Sequence, residues 1–321
     1  MEQVSENSRI YYLDVAKVVT ALLVIFAHFY SGFHPYCVFL YSFHVPLFFF
    51  ISGIFHRKTE RIQWKKYILT LLVPTLLFAV LEGVVRLGGS LFFHSFQEDV
   101  VGYVKILILG VIKGKGIMGL WFLVALFWCK VLTDVMFSSK APEVVALILG
   151  ILGIITFTAH LSLPLLLSQA LMGWPFYIAG YFARKRLYKL QPNWKYLFLF
   201  VLFATATFLL SRYNGKVSMM GIYFGENPLW IGIPSFYLTG LFGTMMILSF
   251  SLLPLPETKL VGKTAKSLIT VVGAQGIFFY FVYKTIGFDR PLSLTIPLSL
   301  VIFCFCCLLN AMIRPLLNRI T

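Results

Sequence analysis

Long apolar runs, separated by short polar and basic connections, dominate this chain. A helix needs about 20 predominantly apolar residues to cross a bilayer. Ten segments read as candidates: 12–31, 37–56, 66–88, 118–137, 143–160, 166–183, 195–211, 233–254, 267–286 and 292–313. The pattern predicts an all-α protein, a polytopic transmembrane helical bundle of about ten spans. The stretch 98–112 is weakly apolar and reads as an interfacial helix or part of a re-entrant segment. No internal repeat, low-complexity tract or soluble appendage interrupts the pattern, so residues 1–321 read as a single transmembrane domain. The longest outer connections, about 89–117 and 212–232, are rich in Gly, Lys and aromatic residues. Long loops on a helical scaffold often carry specificity.

Composition agrees with this reading. Hydrophobic residues make up 59% of the chain and charged residues only 12%, with mean hydropathy +0.87. A soluble domain carries roughly 25% charged residues. The net charge of +15 would suggest nucleic acid on a soluble protein. Here it is explained by topology, because basic residues collect in cytoplasmic loops. With the N-terminus cytoplasmic, 17 Lys and Arg fall in cytoplasmic segments, among them Arg9, Arg57, Lys65, Lys66, Arg184, Arg314 and Arg319. Eight fall outside, including Arg86, Lys115 and Arg290. This bias predicts cytoplasmic N- and C-termini. Attraction to anionic lipid or to an anionic cofactor is a further expectation. No cleavable signal peptide is expected in the polar N-terminus. The five Cys show no CxxC pattern, and they read as small packing residues rather than metal ligands.

Candidate chemistry concentrates in the first hairpin. Ionisable groups inside spans are costly and mark functional positions. The first span contains Asp14, Lys17 and His28. Asp14 and Lys17 are three apart and can pair on a helix. Lys17 and His28 are eleven apart, close to three turns, so they share a face about 16 Å apart along the axis. His44 starts the second span, so a short turn brings it near His28. Two adjacent imidazoles can divide the work of a general base and an orienting or oxyanion-stabilising donor; the bland reading of each is a hydrogen-bonded packing residue. His34, His56, His94 and His160 read as structural. Glu82 needs a partner within its span, and Arg86 lies one turn away. Trp121 supports a site or anchors the helix at the interface. Ser52-Gly53 reads as a close-packing element. The loop 57–66, with five basic residues, suits topology and would also attract a phosphorylated donor.

At these residues the chain resembles the acyltransferase 3 family of bacterial membrane acyltransferases. The resemblance rests on Leu13-Asp14 with Lys17 and His28, on SFHVPLFFFISG (42–53), on WKKYILTLLVP (64–74), on LWFLVALF (120–127) and on PFYIAGYFARK (175–185). Two positions depart from the family pattern. Lys17 stands where Arg is commoner, which keeps the charge but loses the planar fork. Ala274 stands seven residues after Ser267, where the family often carries His.

The resemblance implies transfer of an acyl group, most often acetyl, from acyl-coenzyme A to a sugar hydroxyl of a surface or exported glycan. It implies a multi-pass protein of the bacterial plasma (inner) membrane. His28 and His44 would be catalytic. Lys17, Lys65 and Lys66 would contact the anionic donor, and Asp14, Glu82, Arg86 and Trp121 would support the site. Expected partners are acyl-CoA (acetyl-CoA foremost), a carbohydrate acceptor and membrane lipid, with no metal, no permanently bound cofactor and no nucleic acid. The alternatives are a transporter or flippase for a glycolipid or small solute, and a catalytically silent subunit. A transporter often shows repeated halves, and no repeat is present.

Overall fold

The computed structural model describes residues 10–114 and 118–320. Arg9 and Lys115, and the side chains of Arg314 and Arg319, all used in the charge count, lie outside the described residues. In chain order the helices are α1 (Tyr11–Ala27), α2 (Pro35–Tyr41), α3 (His44–Ile54), α4 (Trp64–Tyr67), α5 (Val73–Phe93), α6 (Gly102–Lys113), α7 (Trp121–Ser138), α8 (Pro142–Thr158), α9 (Leu167–Leu187), α10 (Lys195–Asn214), α11 (Leu229–Ser251), α12 (Lys259–Ala265), α13 (Leu268–Thr285) and α14 (Leu292–Ile320). Among the described residues there is no β-strand, only an isolated bridge between Ser218 and Tyr223.

Every predicted span coincides with a helix or a helix pair. Among the described residues, seven helical stretches are long and apolar enough to cross a membrane: Pro35–Ile54, Trp64–Phe93, Trp121–Ser138, Lys195–Asn214, Leu229–Ser251, Leu268–Thr285 and Leu292–Ile313. The other three predicted spans are also helical: α1 and α8 have 17 residues each, and α9 carries Arg184, Lys185 and Arg186 in its last turn. The protein is an all-α polytopic membrane protein. The weakly apolar stretch forms α6, 12 residues long. Its rise of about 18 Å falls short of the roughly 30 Å hydrocarbon core.

Two prolines shape the second and third spans. Pro46 has no N–H to offer the Ser42 carbonyl, and its ring would press on that carbonyl in a continuous helix. The chain breaks between α2 and α3 accordingly. His44 therefore does not start the second span, as the sequence suggested; it opens α3 about midway along Pro35–Ile54. In the next stretch a π-helical turn at Ile68–Leu72 precedes Pro74 and absorbs its missing bond.

α1 is the hub of the bundle and touches α2, α3, α11, α12, α13 and α14. α3 and α9 approach closely, because two glycines face each other's backbone. A Cβ at Gly53 would collide with the Tyr177 carbonyl, and one at Gly180 with the Phe50 carbonyl. Small residues let helix backbones meet in lipid, where dispersion rather than the hydrophobic effect holds helices together. Two of the segments that carry the family resemblance, 42–53 and 175–185, thus interlock.

Hydrogen bonds between distant segments tie the helices together at both ends of the bundle. At the basic end, Tyr11 donates to Pro256 and Tyr12 to Leu187, Arg184 donates to the His56 carbonyl, and Asn193 N–H bonds Leu252. At the opposite end, Tyr283 donates to the His28 carbonyl, Tyr30 pairs with Thr295, and Ser31 N–H donates to Asp289.

Candidate active site

His28 caps the C-terminal end of α1. Its ring lies edge-on to Phe279 at 5.3 Å and to Tyr41 at 6.4 Å. Tyr41 in turn lies 5.0 Å from the His44 ring. The break before Pro46 is what places His44 here. The Leu40 carbonyl accepts from the Phe43 N–H at 3.2 Å in place of an i+4 partner, and the His44 Nδ1–H donates to the same carbonyl at 2.6 Å. A carbonyl only accepts, so Nδ1 carries the proton and neutral His44 has its lone pair on Nε2. Neither ring nitrogen of His28, nor Nε2 of His44, has a hydrogen-bond partner among the described residues.

Both imidazoles line one cavity of about 120 Å³. Its walls come from five parts of the chain: the end of α1, the α2–α3 break, the start of α7, the Ser218–Met220 loop and α13. Trp121 lines it and is only 8% exposed. Its position serves the cavity rather than a lipid interface. The Ser218–Met220 segment belongs to the long connection between α10 and α11. The Gln169 amide fixes that segment by donating to the Met220 carbonyl at 2.9 Å and to the Gly114 carbonyl at 2.6 Å.

The other predicted residues stand apart from the cavity. Lys17 pairs with Asp14 at 3.5 Å and lies 4.1 Å over the Phe55 ring. Lys65 and Lys66 are exposed on α4. These cations occupy the basic end of the bundle. Glu82 and Arg86 pair as predicted, with Arg86 Nη2 2.7 Å and Nε 3.0 Å from Glu82 Oε1. The guanidinium also lies over the rings of Tyr103 and Tyr280, at 4.7 Å and 5.0 Å. Glu82 packs against the Gly276 turn of α13. The pair supports the cavity wall from behind and does not enter it.

A residue match now joins the geometry: the model of an acyltransferase domain, acyltransferase 3, covers residues 10–311. The chain belongs to the acyltransferase 3 family. No curated protein and no solved structure matches it. Family membership supports membrane acyltransferase activity in general. Within this acyltransferase 3 domain, Gln275 lines the cavity and carried no signal in the sequence. It lies one residue after Ala274, the place where the family often carries His. Ala274 itself is fully buried.

The remaining histidines fill structural places. His34 caps α2 and accepts from the Tyr36 N–H. His94 and His160 take left-handed backbone angles at helix ends. His56 is buried at the basic end. Its Nδ1 contacts the Tyr177 hydroxyl at 2.9 Å, and its Nε2 lies 3.2 Å from Asp134 Oδ1 without hydrogen-bond alignment. Asp134 also accepts from the Thr59 hydroxyl and the Gln63 N–H, both at 3.1 Å.

Proposed function

We propose that this protein is a membrane-bound O-acyltransferase that moves an acetyl group from acetyl-coenzyme A to a sugar hydroxyl of a surface or exported glycan. The observation that carries the reading is the pair of imidazoles on one cavity, one of them with its tautomer fixed by the Leu40 carbonyl. A hydroxyl in the cavity gives its proton to an imidazole while its oxygen attacks the thioester carbonyl. The new C–O bond forms, the C–S bond breaks, and the imidazolium returns the proton to the leaving thiolate. His44 suits the base role, because its Nδ1–H is already committed and Nε2 holds the lone pair. His28 has both nitrogens free and can donate toward the developing oxyanion or take the proton itself.

The size of the cavity supports a short acyl group. An apolar cavity of about 150 Å³ holds benzene, and this one is about 120 Å³. The donor enters from the cytoplasm in this reading. Lys17, Lys65 and Lys66 meet its phosphates at the basic end, and its thioester arm spans the roughly 16 Å to His28. Ten crossings, cytoplasmic termini and a bacterial inner-membrane location complete the proposal.

The test is proton NMR of surface-glycan O-acetylation in cells lacking the gene, complemented with native protein or with His28→Ala at equal membrane abundance. Native protein restores the acetyl signal and His28→Ala does not. A transporter or a silent subunit predicts that the signal is independent of His28.

A further inference from the structure

Gln275 is 3% exposed, and its Oε1 has no hydrogen-bond partner among the described residues. Its Nε2 makes one contact, to the Val272 carbonyl one turn back at 3.3 Å. That bond holds the amide against its own helix and leaves the carbonyl oxygen unpaired within the wall of the cavity that Gln275 lines with His28 and His44. The opposite wall makes room for it. At Gly119 an added Cβ would stand 3.0 Å from Nε2 and 3.2 Å from the Val272 carbonyl, so any larger residue would displace the amide. A buried, unpartnered amide oxygen weakens a fold. An apolar residue of similar length would fill the space without that penalty.

An amide oxygen accepts only from O–H or N–H. The hydroxyl that reacts has a single proton, and that proton goes to an imidazole. A second O–H or N–H on the same molecule can meet Oε1 without competing for that proton. We infer that Gln275 Oε1 accepts a hydrogen bond from a second O–H or N–H of the saccharide, next to the hydroxyl that is acylated, and so selects which hydroxyl reacts. The inference rests on the acyltransferase reading above. It narrows the acceptor class to a sugar with a vicinal hydroxyl, or with an acylamino group beside the reacting position.

The test uses membrane vesicles that contain the full chain and the host's own glycan, with labelled acetyl-CoA as donor. Native protein, Gln275→Met and Gly119→Ala are compared at equal abundance, and thermal unfolding is followed on each protein after extraction in detergent. The prediction for Gln275→Met is a loss of transfer of at least about tenfold, because a site built for a polar group rejects what it can no longer bond. Its apparent KM for acetyl-CoA stays within about twofold, since donor binding is untouched. Its Tm is equal or higher, because a buried unpartnered group has gone. Gly119→Ala loses transfer in the same direction.

Unchanged transfer in Gln275→Met overturns the inference. So does a loss accompanied by a raised acetyl-CoA KM, which would make Gln275 a donor contact. A lowered Tm, or failure to accumulate as folded protein, would make it a structural residue and overturns it as well. If native protein itself transfers no acetyl group, the acyltransferase reading fails and takes this inference with it.

Discussion

Two histidine clusters stand at opposite ends of this bundle, and their polar atoms have different surroundings. At the basic end, His56 touches Tyr177 through Nδ1 and Asp134 through Nε2, and Asp134 is further held by Thr59 and Gln63. Protein groups surround every polar atom of that cluster, although His56 Nε2 meets Asp134 at 3.2 Å without a hydrogen bond, and the result is a staple that ties the 57–63 loop to α7. In the cavity, His44 commits one nitrogen and keeps the other, His28 keeps both, and Gln275 keeps its carbonyl oxygen. Residue type alone does not separate the two clusters. What separates them is whether the side chains sit against other protein polar groups or line a cavity.

The sharpest way to break this comparison is at His28. His28→Ala lowers acetyl transfer by about 10²–10⁴-fold, the usual contribution of a positioned acid or base, with little change in Tm. A similar loss is expected for His44→Ala. At the staple, the effect falls on stability. Asp134→Ala leaves the Thr59 hydroxyl and the Gln63 N–H without their acceptor, and such changes destabilise by about 1–3 kcal/mol. Thermal unfolding in detergent reads this as a lower Tm, with transfer per folded molecule retained.

A comparable effect sharpens the packing side. Gly53→Ala forces α3 away from the Tyr177 carbonyl, an overpacking change of about 1–3 kcal/mol. Activity and Tm should fall together, which distinguishes a packing glycine from a chemical one.

The smallest effect is at Asp289, in the loop before α14. The Ser31 backbone N–H donates to its carboxylate at 2.8 Å and holds its pKa below the ordinary Asp value. A depressed carboxylate stabilises the fold above the unfolded pKa of about 3.9. That contribution is lost as pH falls through the folded value. Tm measured down a pH series should drop slightly less in Asp289→Asn than in native protein below about pH 4.

Much of the architecture was legible in the pattern of apolar runs, because lipid forces every span to be helical and long. The Asp14–Lys17 and Glu82–Arg86 pairs followed from helical spacing alone. The hairpin also places His28 and His44 near each other, whereas the break in the second span follows from Pro46. That proline was visible in the sequence, and its effect on the Ser42 carbonyl supplies the physical signal. Gln275 was not legible. A lone Gln in an apolar helix has no motif, and which face of α13 meets the cavity depends on packing with α1, α5 and α14. One local clue exists: Gln275 lies one turn from Val272 and from Phe279, whose ring meets His28. The Ser218–Met220 wall depends on a contact with Gln169 about 50 residues away, which no local pattern reveals.

The most direct measurement is the rate of acetyl transfer from labelled acetyl-CoA to glycan in membrane vesicles holding equal amounts of folded native protein, His28→Ala and His56→Phe. The account predicts that His28→Ala loses transfer at an unchanged Tm, whereas His56→Phe keeps transfer per folded molecule and loses Tm. Full transfer in His28→Ala, with transfer abolished in a stable His56→Phe, would contradict it and move the chemistry to the basic end.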